Sequence, residues 1–428
     1  MKIQTSDKDL NETGVSVSQR DFYNSFSETG FPNKKNEDWK FTDLDKILNS
    51  NFDELIPFKD KAKTKPKKIF NFKHYSITTL NGELVESNLA RKGSAEDAER
   101  LLKKISNLKD HSIFFDTPYN LTPGRPILET KAKKDEMLSL NLSFLDRGYS
   151  FQILNDLDAP LVIYNFYDEN LNGKMINNSN SIKVSNSKAS IIEVNIDNSN
   201  TNFFKNTFQK YLINESEVNY YFINYKKSHS FNYTNNNIEI NNSNSKQGSK
   251  FNYFIFGSGS KFRKDDFKIS LNGENSFAKV NSAMILKEDE HQELKTEMFH
   301  KEPNCKSYQK IKNILTEKSK GIFQGKIYVT DRAQKTDAYQ LSKGLILDDK
   351  AEFSAKPQLE IYADDVKCSH GSTSGNIDQD AIFYLMSRGL SKKEATKLII
   401  KGFLKEVFSE INEENIKKLI EKHLEENI

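Results

Sequence analysis

From about Met137 to Gly375 the chain shows no helical period. In its place come short segments rich in β-branched and aromatic residues, among them "SFQIL", "PLVIYNFY", "SIKVS", "SIIEVNI", "EVNYYFINY", "NIEI", "KFNYFIF", "FKISL" and "GKIYV". Each alternates inward and outward, and Asn, Ser, Gly or Asp marks the joins. The spacing suits an all-β sandwich, yet so long a run is more than one sandwich usually holds. A β-solenoid accommodates it better, because each coil adds a few short strands and stacks on the last without closing a barrel. The stretch Leu345 to Ala363 shows the cadence. Leu345 and Leu347 alternate, then Ala351, Phe353 and Ala355, then Leu359, Ile361 and Ala363, with "DDK" and "KPQ" as polar corners. Three short faces imply a triangular coil, with a sandwich or irregular sheet as the alternative.

At 428 residues the chain exceeds one ordinary core, so two or three units or one elongated unit are expected. Sixty-three basic and sixty acidic residues leave a net charge of +3. That balance supplies no broad field for nucleic acid or an anionic membrane. The first thirty residues lack the apolar core of a secretory signal, and no window approaches the ~18 apolar residues of a membrane span, so a cytoplasmic protein is expected. Two cysteines, Cys305 and Cys368, are too few and too far apart for a disulfide framework, and no CxxC pair is present. The Asn runs "NNSN", "NSNTN" and "NNNIEINNSNSK" fit an AT-rich coding sequence. They equally fit the turns of a stacked β structure, since Asn tolerates left-handed corners and can stack amides in successive layers.

The ends read as helical. Phe22, Tyr23 and Phe26 share a face before Gly30 and Pro32, and "NEDWKFTDLDKIL" follows with the single tryptophan, Trp39. The run "KDKAKTKPKK" reads as a solvated linker ahead of strand-like pieces from Ile69 to Leu84. A further helix is expected at Ser94, with Asp97 in its first turn and Ala98, Leu101, Leu102, Ile105 and Leu108 on one stripe. Beyond Gly375, Asp378 caps a helix burying Ala381, Ile382 and Leu385, and Gly389 ends it. "SKKE" at Ser391 to Glu394 is a capping box ahead of a stripe of Ala395, Leu398, Ile399, Gly402, Phe403 and Val407. A last segment carries Ile416, Leu419, Ile420 and Leu424. The boundaries that follow are a mixed, partly helical region at 1–130, a β core at 131–376 and a helical domain at 377–428.

The candidate chemistry lies in "ADDVKCSHGSTSGNIDQDAIFYL", Ala363 to Leu385, where strands give way to helix. In an extended strand Val366, Cys368 and His370 share a side. A thiol and an imidazole together can bind a soft metal or hold a reactive sulfur species, the thiolate being the competent form. Two ligands do not complete a tetrahedral site. The others would come from another chain or from distant residues such as His291, His300 or Cys305. A buried structural pair is the plain alternative.

The segments "GIFQGKIYVTDRAQKTDAYQLSKGLIL" and "KPQLEIYADDVKCSHGSTSGNIDQDAIFYLMSRGLSKKEA", with "NEDWKFTDL" near the start, closely resemble the SufB/SufD family of the bacterial SUF iron–sulfur cluster assembly machinery, on its SufD side. "ADDVKCSHG" is the most specific of them. The resemblance implies a right-handed parallel β-helix flanked by an N-terminal helical region and a C-terminal helical domain. It implies a non-catalytic scaffold that pairs with SufB through the β-helix end and binds the ATPase SufC through the C-terminal helices, here Ala381, Ile382, Leu385, Leu398, Ile399 and Phe403. Sulfur would arrive from a cysteine desulfurase and its shuttle. His370 matches the family histidine at the SufB interface, a ligand of a nascent iron–sulfur cluster shared with SufB, and Cys368 matches the neighbouring cysteine. A reduced flavin is a candidate ligand of the whole complex, and this chain alone is expected to hold no cofactor. No GxxxxGK[ST] run occurs, so ATP hydrolysis belongs to the partner.

Two rivals stand beside this reading. A carbohydrate-active β-helix enzyme would need paired carboxylates on one strand face. Asp364 and Asp365 are adjacent, hence on opposite faces if extended, and look like a corner. The other rival is a purely structural scaffold with Cys368 and His370 as inert packing.

Overall fold

A computed structural model of the chain describes residues 1–3, 17–88, 90–91, 113–116, 135–243 and 248–428. The helix expected at Ser94 lies outside them. Contacts divide the chain into two compact units. One comprises 1–187, 197–212 and 229–237, and the other 188–196, 213–228 and 238–428.

In the first unit, helix α1 (Val17–Thr29) ends where Gly30 takes a φ of 70°. Asp43 caps α2 (Leu44–Asn49), and Asp135 caps α3 (Glu136–Ser143). Aromatic rings anchor this region: Tyr23 meets Phe144 edge-on at 5.6 Å, Trp39 lies 5.3 Å from Tyr233, and Phe52 lies 5.1 Å from Phe231. The strand Tyr75–Leu80 pairs antiparallel with Glu83–Ser87 and parallel with Leu161–Tyr167. The Lys-rich stretch 59–68 has no regular secondary structure, as a linker should. One expectation fails here. "NNSN" is not a turn; it lies buried inside the strand Lys174–Ser185. Its amides and carbonyls serve as partners there: Asn180 Oδ1 accepts from the Tyr149 N–H at 3.2 Å, and the Asn178 carbonyl accepts from Asn141 Nδ2 at 2.9 Å. A buried amide normally needs such partners, and here the pairing is incomplete: Asn177 Oδ1 and Asn178 Oδ1 are buried without one.

The second unit is a parallel β-solenoid. Successive strands alternate between two sheets. One sheet holds Lys188–Asp197, Glu217–Asn224, Lys250–Ser258, Phe277–Leu286, Lys306–Leu315, Thr336–Ile346 and Val366–Asn376; the other holds Ser260–Leu271, His291–His300, Lys320–Val329 and Glu352–Ile361. Pairing is in register, so each inward position stacks on its equivalent one coil away. The coil is therefore two-faced, not triangular. "KPQ" at 356–358 is no corner but the middle of Glu352–Ile361, the end strand of its sheet. Proline is admissible there because an end strand does not need every N–H for its ladder.

Tight corners join the strands, and Asn275 and Asn304 occupy left-handed φ of 61° and 58° at two of them. The amide stack also forms. Asn241 Nδ2 donates to Asn214 Oδ1 at 2.9 Å, Asn272 Nδ2 to Asn241 Oδ1 at 3.1 Å, and Lys301 Nζ to Asn272 Oδ1 at 3.0 Å.

Three helices complete this unit: α4 (Gln379–Ser387), α5 (Lys392–Phe408) and α6 (Glu414–Asn427). The Asp378 cap, the Ser391–Glu394 capping box and the left-handed Gly389 (φ 96°) all form as expected. A row of carboxylates fastens the helices to the first sheet. Glu413 accepts from Ser190 Oγ at 2.6 Å, Asn219 Nδ2 at 2.9 Å and Tyr221 OH at 2.6 Å. Glu410 takes Lys279 at 2.7 Å and Lys310 at 2.5 Å, and Glu406 pairs with Lys312. These contacts hold residues 377–428 in the same compact unit as those strands.

Candidate functional site

Val366–Asn376 is the last strand of its sheet, paired with Thr336–Ile346 on one side only. Its register places Cys368 on Ala338, His370 on Gln340 and Ser372 on Ser342. Ala338, Gln340 and Ser342 are buried while Asp337, Tyr339, Leu341 and Lys343 are not, so the even positions point into the coil. Cys368, His370 and Ser372 therefore point the same way, but no further coil covers them. The result is an inward-facing yet open row: His370 and Ser372 are exposed and Cys368 is half-buried. Ser342 Oγ donates to Ser372 Oγ at 3.0 Å, tying the row to the coil below. Ala355, Pro357 and Leu359, in register with Phe323, Gly325 and Ile327, line the same open end from the other sheet.

The common face expected for Val366, Cys368 and His370 is thus present. Along a strand the second and third lie about 6.6 Å apart. Burial, then the charge of Asp337, push the Cys368 thiol above its ordinary value, so at neutral pH this sulfur carries its proton. Asp364 and Asp365 turn the preceding corner, where the Asp365 carbonyl accepts from the Lys335 N–H at 2.6 Å. They are not a catalytic pair.

The distant candidates are not brought to this row. His291 and His300 lie at opposite ends of one strand, and burial holds both imidazoles down at about 4. His300 Nε2 is 2.8 Å from Ser307 Oγ. Cys305 is fully buried, its Sγ donates to the Gly273 carbonyl at 3.3 Å, and burial raises its pKa to about 11. His300 Nε2 and Cys305 are engaged inside the coil, His300 Nδ1 is buried without a partner, and His291 is partly exposed. Among the described residues no group of three or more His, Cys, Asp or Glu is placed to hold a metal ion.

On the helices the expected docking residues divide. Ile382 is buried with Ile377 and Ala395, and Leu385 and Ile399 pack against that cluster. Ala381 and Phe403 are partly buried, the latter with Lys312 over its ring at 4.7 Å. Only Leu398 is open, at 50 %. The stripe on α5 turns its buried side through Ala395, Ile400, Leu404, Val407 and Phe408, leaving Gly402 outside. The free apolar side chains are Phe383 at 73 %, Tyr384 at 58 % and Met386 at 43 %. Sequence reasoning missed them, although the unbroken run "AIFYLM" signals a helix apolar on two faces.

A family model described as "SUF system FeS cluster assembly, SufBD core domain" matches residues 167–403, more than half of the chain. The iron-sulfur cluster assembly protein SufD of Escherichia coli (strain K12) is 41% identical over 150 residues, 35% of this chain and 36% of that protein. A SufBD family protein of Pyrococcus horikoshii is 34% identical over 152 residues, 35% and 34% of the two chains. SufD of Bacillus subtilis (strain 168) is 30% identical over 159 residues, 37% and 36%. These matches span about a third of each relative's own length.

Proposed function

Because the chain belongs to the SufBD core family of the SUF system for iron–sulfur cluster assembly, we propose that it is a SufD-type scaffold subunit that works in the cytoplasm and builds nascent clusters jointly with a SufB partner. The observation that carries the reading is the exposed His370 on a strand with one free edge. An unpaired strand is a template for a strand of another chain, so a partner coil can dock there and bring the remaining ligands. The nascent cluster is cargo. His370 offers one ring nitrogen to its iron, and Cys368 offers sulfur once binding has displaced the thiol proton. The SufC ATPase docks on the exposed apolar side chains Phe383, Tyr384 and Met386 of α4 and Leu398 of α5. This chain performs no catalysis of its own in that scheme.

The test is co-expression with SufB and SufC, anaerobic reconstitution with iron and sulfide, and absorption and Mössbauer spectroscopy. His370→Ala should leave the three-subunit assembly intact and remove most of the cluster signal. An unchanged signal would leave only the structural-scaffold reading.

A further inference from the structure

We propose that the groove between the start of α5 and the ends of three solenoid strands binds a small amphipathic anion, an aliphatic chain of roughly ten carbons ending in a carboxylate or phosphate. The inference is independent of the role given to His370.

The groove has a volume of about 440 Å³, within the range of small-ligand sites. Register builds its coil side. Ile285 of Phe277–Leu286 pairs with Ile314 of Lys306–Leu315, and both are buried. Lys287, Thr316 and Leu347 each follow the last residue of a strand and continue the ladder: the Thr316 N–H donates to the Leu286 carbonyl at 3.0 Å, and the Leu347 N–H to the Leu315 carbonyl at 2.9 Å. The first turns of α5 form the other side, with Ile400 completing an aliphatic floor of Ile285, Ile314 and Leu347. No aromatic ring lines the groove, so a planar ligand finds nothing to stack on, whereas a hydrocarbon chain is well served. Three coils span about 10 Å, and Lys392 to Ile400 about 12 Å of helix axis, which sets the length of that chain.

The rim supplies the charge. Lys287, Lys392, Lys393 and Lys397 all line the groove, and among the described residues no carboxylate pairs with any of them. Glu394, the acid of this helix turn, is committed to the Ser391 capping box. The arrangement works against the helix. Lys392, Lys393 and Lys397 stand near the positive end of the α5 dipole, and Lys393 and Lys397, four apart on one face, repel each other. The two also begin the stripe that continues as the buried Ile400, Leu404 and Val407, where apolar side chains would have served packing better. Local rules broken without a compensating contact mark a functional site. An anion among the lysines supplies the compensation, and the floor beneath requires that it bring a hydrocarbon chain.

The test uses the full chain with ¹³C-labelled isoleucine δ-methyl groups, the Ile285, Ile314 and Ile400 signals being assigned by their loss on change to valine. Sodium decanoate and decyl phosphate, titrated below their micelle-forming concentrations, should shift these methyls saturably, and the tighter of the two identifies the head group. Decanol, which has the chain without the charge, and inorganic phosphate, which has the charge without the chain, should each bind at least tenfold more weakly. Lys393→Gln with Lys397→Gln should weaken binding of both amphiphiles by about tenfold or more, as loss of a charge-assisted hydrogen bond does. This double variant should melt no lower than the native chain, because it relieves repulsion. A lower melting temperature would mark the lysines as structural and count against the site. Absence of saturable shifts at these methyls with both amphiphiles, decanol binding as well as decanoate, or unchanged affinity in the double variant would each overturn the proposal.

Discussion

Replacing His300 by glutamine tests whether this histidine is a neutral interior group or a reserve ligand. The imidazole is wholly buried, with Nε2 2.8 Å from Ser307 Oγ, and burial alone lowers its pKa from 6.5 to about 4. The folded value lies below the unfolded one, so the unfolded chain binds the extra proton first. Its contribution to stability is complete above pH 6.5, declines as the pH falls, and is lost below about pH 4. At about 1.4 kcal/mol per pH unit, that gap corresponds to about 3 kcal/mol. Other groups titrate in the same window. Burial raises Glu290 to about 7 and Asp266 to about 6, and such raised carboxyls act in the opposite sense, giving most below pH 4.5 and losing it as the pH rises. The whole profile is therefore a mixture, and only the difference between native chain and variant isolates His300. Urea unfolding from pH 7 to pH 4 should show His300→Gln carrying a constant deficit of about 1 kcal/mol from the altered Ser307 contact. Superimposed on it, the variant should gain about 3 kcal/mol on the native chain as the pH drops. Parallel curves across the whole range would refute the assignment of a buried, neutral imidazole.

Glu413→Gln should loosen α6, because Tyr221, Asn219 and Ser190 lose the anionic acceptor they share; a local cost of about 2–4 kcal/mol is expected, read as faster amide hydrogen exchange across 414–427 with little change in the strands. Acidification should release the same helices. Lys312 holds Glu406 below its ordinary value, and for Glu410, where burial opposes, Lys279 and Lys310 prevail, so both stabilise above the ordinary carboxylate range and lose that contribution as the pH falls through their lowered values. Hydrogen exchange of α5 rising below about pH 4 ahead of the solenoid would be the expected sign, and simultaneous release would argue against it. If the proposed docking of SufC holds, Phe383→Ala with Tyr384→Ala should weaken its capture at least tenfold while shifting the melting temperature little, since both side chains are exposed and the contact of Arg388 with the Tyr384 ring, at 5.3 Å, lies at the surface.

Much of the fold was legible because it is written in local periods. The switch from alternation to a 3.6-residue repeat marked the strands and the terminal helices, and Asp378, Ser391, Glu394 and Gly389 act where short-range cap chemistry put them. Coil shape was less legible. A polar triplet such as "KPQ" resembles a corner, but at an end strand the usual penalties for proline and polar residues lapse, and the strand runs straight through. The helix faces misled for a related reason. Periodicity reports that Leu398 and Ile382 are apolar, not which of several apolar flanks meets the sheet.

The order of residues alone determined that a long run of short strands would lie between helical ends, and that Cys368 and His370 would lie on one side of an extended segment; the parallel stack was implied by the family resemblance. Tertiary structure decided that this segment is the last coil, so that an inward direction becomes an open one. Alternation along a strand is a property of neighbouring peptide units, whereas exposure at a coil end depends on which strand has no successor. That is settled only when distant segments stack.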